Sequence, residues 1–514
     1  MAFFKIAVGG YDIFRWASGA LNSYILYGKE RSIAIDPAAD LTPEAVCDAG
    51  LPPVTVILVT HVQKEHVEGC SNFPGVPVFV PSGDEYLCEG REAYRKYITK
   101  WEAPWDWESR GNYKGHLAGA PNECPPGSPI KIAGTFKDGD SFPPLRIIST
   151  PGHGKNAVSF ILDTDEGICS FCGDLICGAD GRIKSWYECE WDYGQNGGQK
   201  ALKNSVARLI DTGAKVLFPS HGEVIHDARP ALKSLEAKLS SVLGMMGHVV
   251  PFDMDFPDSS AFGFRQISKH LYQWKTGNLA VVLSESGEAL FIDDGLCNWV
   301  PLPERAGFHR STVESLKKAL GIKKVSLVIP THYHGDHIEN IADLVDDEGT
   351  EVIALDIVAG PMENPELYNL TCLLPWYGAS HDRVKVDMRV KSPAHIKWNE
   401  YDIEIFHLGG QTYYHAGISM NIDWETVIFT GDSCFPNCDG CETFICYNDA
   451  EPFSKGYAYA VERLIEREPS LLVCGHGSVL KNPMEHLLIK RAAWEKFREV
   501  FISLGAEVSP PGLG

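Results

Sequence analysis

The chain has 514 residues, a formal net charge of −22 and fifteen cysteines. Acidity on that scale, without a cluster of Lys and Arg, excludes a polynucleotide as substrate or partner, because binding phosphates needs a basic surface; a small-molecule substrate is expected instead. No apolar run reaches membrane-spanning length, and MAFFKIAVGGYDIF lacks the basic start and long apolar core of an exported chain, so the cysteines read as thiols of a reducing compartment and the expected location is cytoplasmic.

In chain order, the first strand-like run is NSYILY at Asn22, followed by AIDP around Asp36 and by ILVTH at Ile57. The last is apolar and β-branched, as a buried strand is, and it runs into THVQKEHVEG with His61 and His66. KWEAPWDWESRGNYKGH then sets Trp101, Trp105 and Trp107 among acids and glycines, large side chains suited to packing between halves or to lining a pocket. TPGHG (His153), CGD (Asp174), VARLI (Val206) and PSHGE (His221) follow, with Cys169, Cys172, Cys177 and Cys189 flanking Asp174. The amphipathic ALKSLEAKLSSVLGMMG reads as a helix. The Pro- and Asp-containing PFDMDFPDSSAFG after it places a joint near residue 248.

Beyond that joint the order recurs: NLAVVL at Asn278, FIDD around Asp293, LVIPTH at Leu327, Asp432 in GDS, VERLI at Val461 and His476 in CGHG. His332 lies 271 residues after His61, Asp432 lies 258 after Asp174, and His476 lies 255 after His221, so short deletions separate two parallel arrays. A chain that repeats its apolar strands along with its histidines has repeated a fold. Strand-like and helical runs alternate in each half, which predicts two α/β domains, 1–248 and 249–514, each long enough to bury its own core.

The most specific stretch is THYHGDH, Thr331 to His337, at the end of the strand-like VSLVI. Histidines two apart project to one side of a loop, and the Asp-His pair behind them turns toward a second pocket. His332, His334, Asp336 and His337 can therefore enter the first shells of two adjacent metal ions, with donors that suit zinc, manganese or iron. The carboxyl end of a strand is where open α/β sheets place their sites.

HYHGDH matches the HxHxDH signature in full, and here the chain resembles the metallo-β-lactamase superfamily. The resemblance implies two tandem αβ/βα sandwich domains with metals at one sheet edge. It also implies a further histidine, a metal-bridging carboxylate and a last histidine after a strand. Asp432, after TVIF, and His476, after SLLV, fit the last two. In IEIFHLGGQTYYHAG the intermediate position falls on Gln411 or His415, and His415 is preferred because it is an imidazole. The implied centre holds two ions, zinc first, with iron or manganese as alternatives. Asp336 would orient a hydroxide between them and Asp432 would bridge. Tyr413 or Tyr414 either donates to a developing oxyanion or packs.

By the same correspondence the N-terminal half offers His61, Glu65, His66, His153, Asp174 and His221, but Gln63 and Glu65 stand where the signature has His and Asp. A neutral amide is a poor transition-metal ligand, and Glu65 moves its carboxylate by a methylene. That site therefore holds one or two ions or survives as a relic, and catalysis is expected at the C-terminal one, with Asp336 and Asp432 central. Cys434, Cys438, Cys441 and Cys446 follow Asp432 and read as small buried thiols ahead of a structural zinc or cluster, or a redox pair. The resulting reading is a dinuclear metal-dependent hydrolase of a small ester, lactone, thioester, amide or phosphodiester. The alternatives are an iron-dependent oxygen- or sulfur-handling oxidoreductase on the same scaffold and a non-catalytic binding protein. Sequence leaves the oligomeric state open.

Overall fold

A computed structural model describes residues 3–19, 21–27, 32–90, 92–93, 126–184, 198–246, 263–274, 278–295, 302–368, 370, 372–374, 380–435, 441–442, 453–477 and 479–505. The tryptophan segment with Trp101, Trp105 and Trp107, the joint at 248, and Cys189, Cys438 and Cys446 lie outside the described residues.

Two compact units form. The first contains Met1–Ile98, Ala120–Gly244 and Glu499–Ser509, and the body of the second is Met245–Arg498.

In the first unit, a seven-stranded sheet runs in sequence order through β1 (Phe3–Val8), β2 (Tyr11–Ser18), β3 (Leu21–Tyr27), β4 (Ser32–Ile35), β5 (Val56–Leu58), β6 (Val78–Pro81) and β7 (Gly134–Phe136). A second sheet contains β8 (Ser141–Phe142), β9 (Leu145–Ser149), β10 (Val158–Thr164), β11 (Gly167–Gly173) and β12 (Val216–Pro219). Pairing is antiparallel from β1 to β4 and parallel from β4 to β7; in the other sheet only β11 and β12 are parallel.

The second unit repeats this plan. Its seven-stranded sheet is β13 (Phe264–Gln266), β14 (Leu271–Trp274), β15 (Asn278–Leu283), β16 (Glu288–Gly295), β17 (Lys324–Ile329), β18 (Glu351–Leu355) and β19 (Met388–Val390). Opposite it lie β20 (Ala394–Trp398), β21 (Tyr401–His407), β22 (Ala416–Ile422), β23 (Glu425–Gly431), β24 (Leu471–Cys474) and the added β25 (Val479–Lys481). Strand directions match those of the first unit up to β24.

Period-two alternation accounts for the layering. Ile33, Ile35, Val56 and Leu58 from one sheet and Leu145, Ile147, Val158, Phe160 and Leu162 from the other share one core, so the two sheets of the first unit face each other. Tyr24, Phe171 and Phe218 pack at 4.9–5.5 Å between ring centres inside it. In the second unit, Phe406, Ile428 and Leu472 turn to the outer face and meet Ala460, Leu464 and Leu487 of covering helices. The helix Gly198–Asp211 buries Leu202, Val206, Leu209 and Ile210, and Ala228–Met245 buries Leu232, Leu235, Leu239 and Val242, the spacing of an amphipathic stripe. Together these layers make the α/β sandwich that the sequence implied. Among the described residues, no helix is long and apolar enough to cross a membrane.

Phe160 is fully buried between the sheets, whereas Trp424 stands fully exposed on the β22–β23 turn. Phe160→Ala is expected to cost ~3–5 kcal/mol through lost burial and the cavity left. Trp424→Ala should change stability by no more than ~0.5 kcal/mol. Urea unfolding midpoints measure both, and similar losses would contradict the layering.

Candidate metal centres

Both histidine loops leave the carboxyl end of the first parallel strand after the sheet's antiparallel half, β5 in one unit and β17 in the other. In the second unit the loop is held from below by Asp293, a fully enclosed carboxylate at φ 60° in β16. Its Oδ1 accepts the Thr331 N–H at 2.6 Å, and its Oδ2 accepts the Thr331 hydroxyl at 2.8 Å and stands 2.9 Å from His337 Nδ1. With Nδ1 tied down, His337 presents Nε2 to the pocket. Asp36 does the same in the first unit, at φ 48°, through Thr60 N–H and hydroxyl at 2.7 Å each and His66 Nδ1 at 3.2 Å.

Two groups of ligand atoms converge in the second unit: His332, His337 and Asp432, and Asp336, His337 and His476, each within 4.8 Å. His337 Nε2 lies 3.3 Å from Asp432 Oδ1, and His476 Nε2 lies 3.1 Å from Asp432 Oδ2 and 3.6 Å from Asp336 Oδ2. Asn278, the first residue of β15, fixes two of these at once. Its amide nitrogen donates to the Asp336 carbonyl at 3.0 Å and to Oδ2 at 3.1 Å, while its oxygen accepts the His476 N–H at 2.6 Å. Gly475 is required beside them, since a Cβ there would fall 2.1 Å from Asp432 Oδ1.

His334 and His415 belong to neither group but close on His332, with ring centres 4.4 and 4.5 Å away. His415 accepts the Asp432 N–H on Nε2 at 3.3 Å and holds the Ala416 carbonyl through Nδ1 at 3.0 Å. Gln411 and His153 occupy corresponding loop positions, each five residues before the next strand, β22 and β10. Gln411 is buried, and its Oε1 has no hydrogen-bond partner. The intermediate position therefore has two occupants: Gln411 by loop register, and His415 entering from the base of β22. Tyr414 packs edge-on against Tyr333 and Tyr368. Tyr413 is partly exposed, with Lys455 Nζ 4.5 Å from its ring centre.

In the first unit the groups are His61, His153 and Asp174, and Glu65, His66, Asp174 and His221. Asp174 is central: its Oδ2 lies 3.3 Å from His153 Nε2 and 3.5 Å from His221 Nε2, and its Oδ1 lies 3.5 Å from His66 Nε2. Gln63 is buried beside them without falling in either group. One member of this pocket has no signature in the sequence. The Lys184 ammonium donates to Glu65 Oε1 and, at 3.0 Å, to Asp174 Oδ2.

The donor sets fit metal ions. Nε2 of His61 and of His332 are buried without a hydrogen-bond partner, an arrangement that costs stability unless a ligand fills it. Burial, aided by the neighbouring imidazoles, holds His332 well below its ordinary pKa, and burial lowers His415 to about 3, so both rings are neutral and His332 keeps its Nε2 open. His337 and His476 go the other way: burial opposes it, but Asp432 and the other nearby carboxylates raise both. Of the buried cysteines, Cys434 lies in the core beneath β23 and β24, hydrogen-bonded to Cys474.

A family model described as Metallo-beta-lactamase superfamily matches residues 303–476, the segment that holds the complete histidine loop, Asp432 and His476. Among solved structures, it is similar to a metallo-β-lactamase of Cronobacter sakazakii at 15% identity, over 47% of this chain and 95% of that one, with a TM-score of 0.36. It is similar to a subclass B3 metallo-β-lactamase of Bradyrhizobium japonicum at 15% identity, over 48% and 97%, with a TM-score of 0.35. A metallo-β-lactamase family protein from Thermus thermophilus matches at 22% identity, over 44% and 76%, with a TM-score of 0.31.

Two outcomes test this construction. Asp293→Asn keeps the shape but removes the charge behind His337, and should weaken metal affinity at the C-terminal centre roughly 10–100-fold in a chelator competition; unchanged affinity would contradict the role of Asp293. Because nearby carboxylates raise the pKa of His337 and His476 in the metal-free site, and ligands must be deprotonated, zinc uptake should release protons and tighten as pH rises. Titration calorimetry in buffers of different ionisation heat reads this, and identical heats would contradict it.

Proposed function

We propose that the protein is a metal-dependent hydrolase acting at the C-terminal centre on a small molecule. One observation carries the reading: Asp336, His337, Asp432 and His476 converge at a strand edge, with His332 adjoining through Asp432. The reading extends to two cations, zinc first, with the family's intermediate ligand supplied by His415 or Gln411, and to two halves that are copies of one fold. The N-terminal residues His61, His66, His153, Asp174 and His221 would then form a second, altered centre.

Cations bound there supply Lewis acidity and lower the pKa of water toward neutrality. The chain's own residues do the rest. Asp336 is partly exposed and oriented by Asn278, so it can align an entering water and accept its proton. Asp432 is enclosed; its Oδ1 has no hydrogen-bond partner, and its negative charge is balanced by His337 and His476. Tyr413 is partly exposed and would be the one to donate to a substrate oxygen, since Tyr414 is committed to packing. The net charge of −22 favours a neutral or small substrate over a polyanion. A cytoplasmic location is part of the same reading.

A panel of chromogenic esters, lactones, thioesters, amides and phosphodiesters tests it. The zinc-loaded chain should turn over at least one of these classes and lose the activity to a chelator. Asp336→Asn should lower kcat by roughly 10²–10⁴-fold. Retained metal with no turnover would overturn the hydrolase reading, and iron colour with oxygen uptake would replace it with the oxidoreductase.

A further inference from the structure

The N-terminal pocket has the scaffold of a two-cation centre, but one of its cations is already part of the chain. Lys184 reaches Glu65 Oε1 and Asp174 Oδ2, the oxygens that a second metal ion would need. These two carboxylates, with His66 and His221, make up the four-residue group whose ligand atoms lie within 4.8 Å of one another. His221 Nε2 stands 3.5 Å from each of the two oxygens to which the ammonium donates, so the ammonium enters that same cluster of donors. We propose that Lys184 takes the place of the second metal ion, so that the N-terminal centre binds a single divalent cation between His61, His153 and Asp174.

Three further observations support the assignment. The placement of Lys184 is built in: the preceding Ile183 is buried and donates its N–H to the Leu504 carbonyl at 3.0 Å, while the Arg182 carbonyl accepts from Cys177 at 2.9 Å. The remaining group, His61 with His153 and Asp174, does not include Glu65, and His61 Nε2 is buried without a hydrogen-bond partner. Charge then decides the count. Glu65, Asp174 and one ammonium leave a single negative charge for a divalent cation to neutralise, whereas two divalent ions beside an ammonium would crowd five positive charges on two carboxylates. The C-terminal centre differs on this point. Among the described residues, the ion pairs of Asp336 and Asp432 are all with histidines, so no fixed cation competes there.

The Glu65 substitution acquires a reason. Its additional methylene, compared with Asp336, extends the carboxylate toward Lys184 and joins the ammonium to the bridging Asp174. Gln63, a neutral amide where the C-terminal loop has His334, is in keeping with a centre that carries less metal.

Metal counting on the full chain tests this without reference to activity, so its outcome is separable from the hydrolase reading. After saturation with zinc and removal of free ion, elemental analysis of Lys184→Met should give one more zinc per chain than wild type, whatever number the C-terminal centre holds. Lys184→Arg should give the wild-type count. Asp174→Ala should lower the wild-type count by one. Equal zinc in wild type and Lys184→Met, or a loss of two on Asp174→Ala, would overturn the proposal. Circular dichroism identifies an unfolded variant, and in that case the same count on Lys184→Gln, which keeps a polar end without the charge, decides in the same way.

Discussion

A single buried carboxylate at the end of a β-strand governs each metal centre. Asp36 and Asp293 accept a backbone N–H and a hydroxyl from the threonine that opens the histidine loop and hold Nδ1 of the loop's last histidine. Both sit at positive φ, where Asp is among the few residues tolerated. The direction of Nε2, the convergence on Asp174 or Asp432, and the charge balance of the pocket all follow from it. A buried charge of this kind persists because every oxygen is occupied; removing it would leave the threonine and histidine groups stranded away from water.

Much of this was legible in the chain because the physics is local. Apolar β-branched runs predicted β3, β15 and β17, and histidines placed directly after strands predicted which residues approach the pockets. The AIDP and FIDD repeats were visible too, but a short apolar stretch ending in Asp carries no mark of what that Asp will touch. Asn278 was hidden for a similar reason, since it opens a strand-like run and its two partners lie 58 and 198 residues away. Lys184, 119 residues from Glu65, has no motif around it at all. The intermediate ligand shows where residue type and register pull apart: imidazole chemistry favours His415, while the position before the following strand favours Gln411.

The two centres share one backbone plan and differ in their charges. A complete loop, with His334 and Asp336, faces pocket carboxylates whose only ion-pair partners among the described residues are histidines. An altered loop, with Gln63 and Glu65, faces a lysine that supplies positive charge from the protein itself. Exchanging a metal for an ammonium preserves the fold of the site, because the carboxylates stay paired, while removing the Lewis acid that activates water. On the proposed reading, a division of labour between the halves would follow from a few side chains on a shared framework of strands.

Anomalous diffraction at the zinc edge from crystals of the zinc-loaded full chain examines the central claim most directly. The account predicts scattering peaks in contact with Asp432, His337 and His476 in the second unit, on the pocket side of the histidine that Asp293 holds. Peaks confined to the cysteines near Cys434, or no peak beside Asp432, would contradict it.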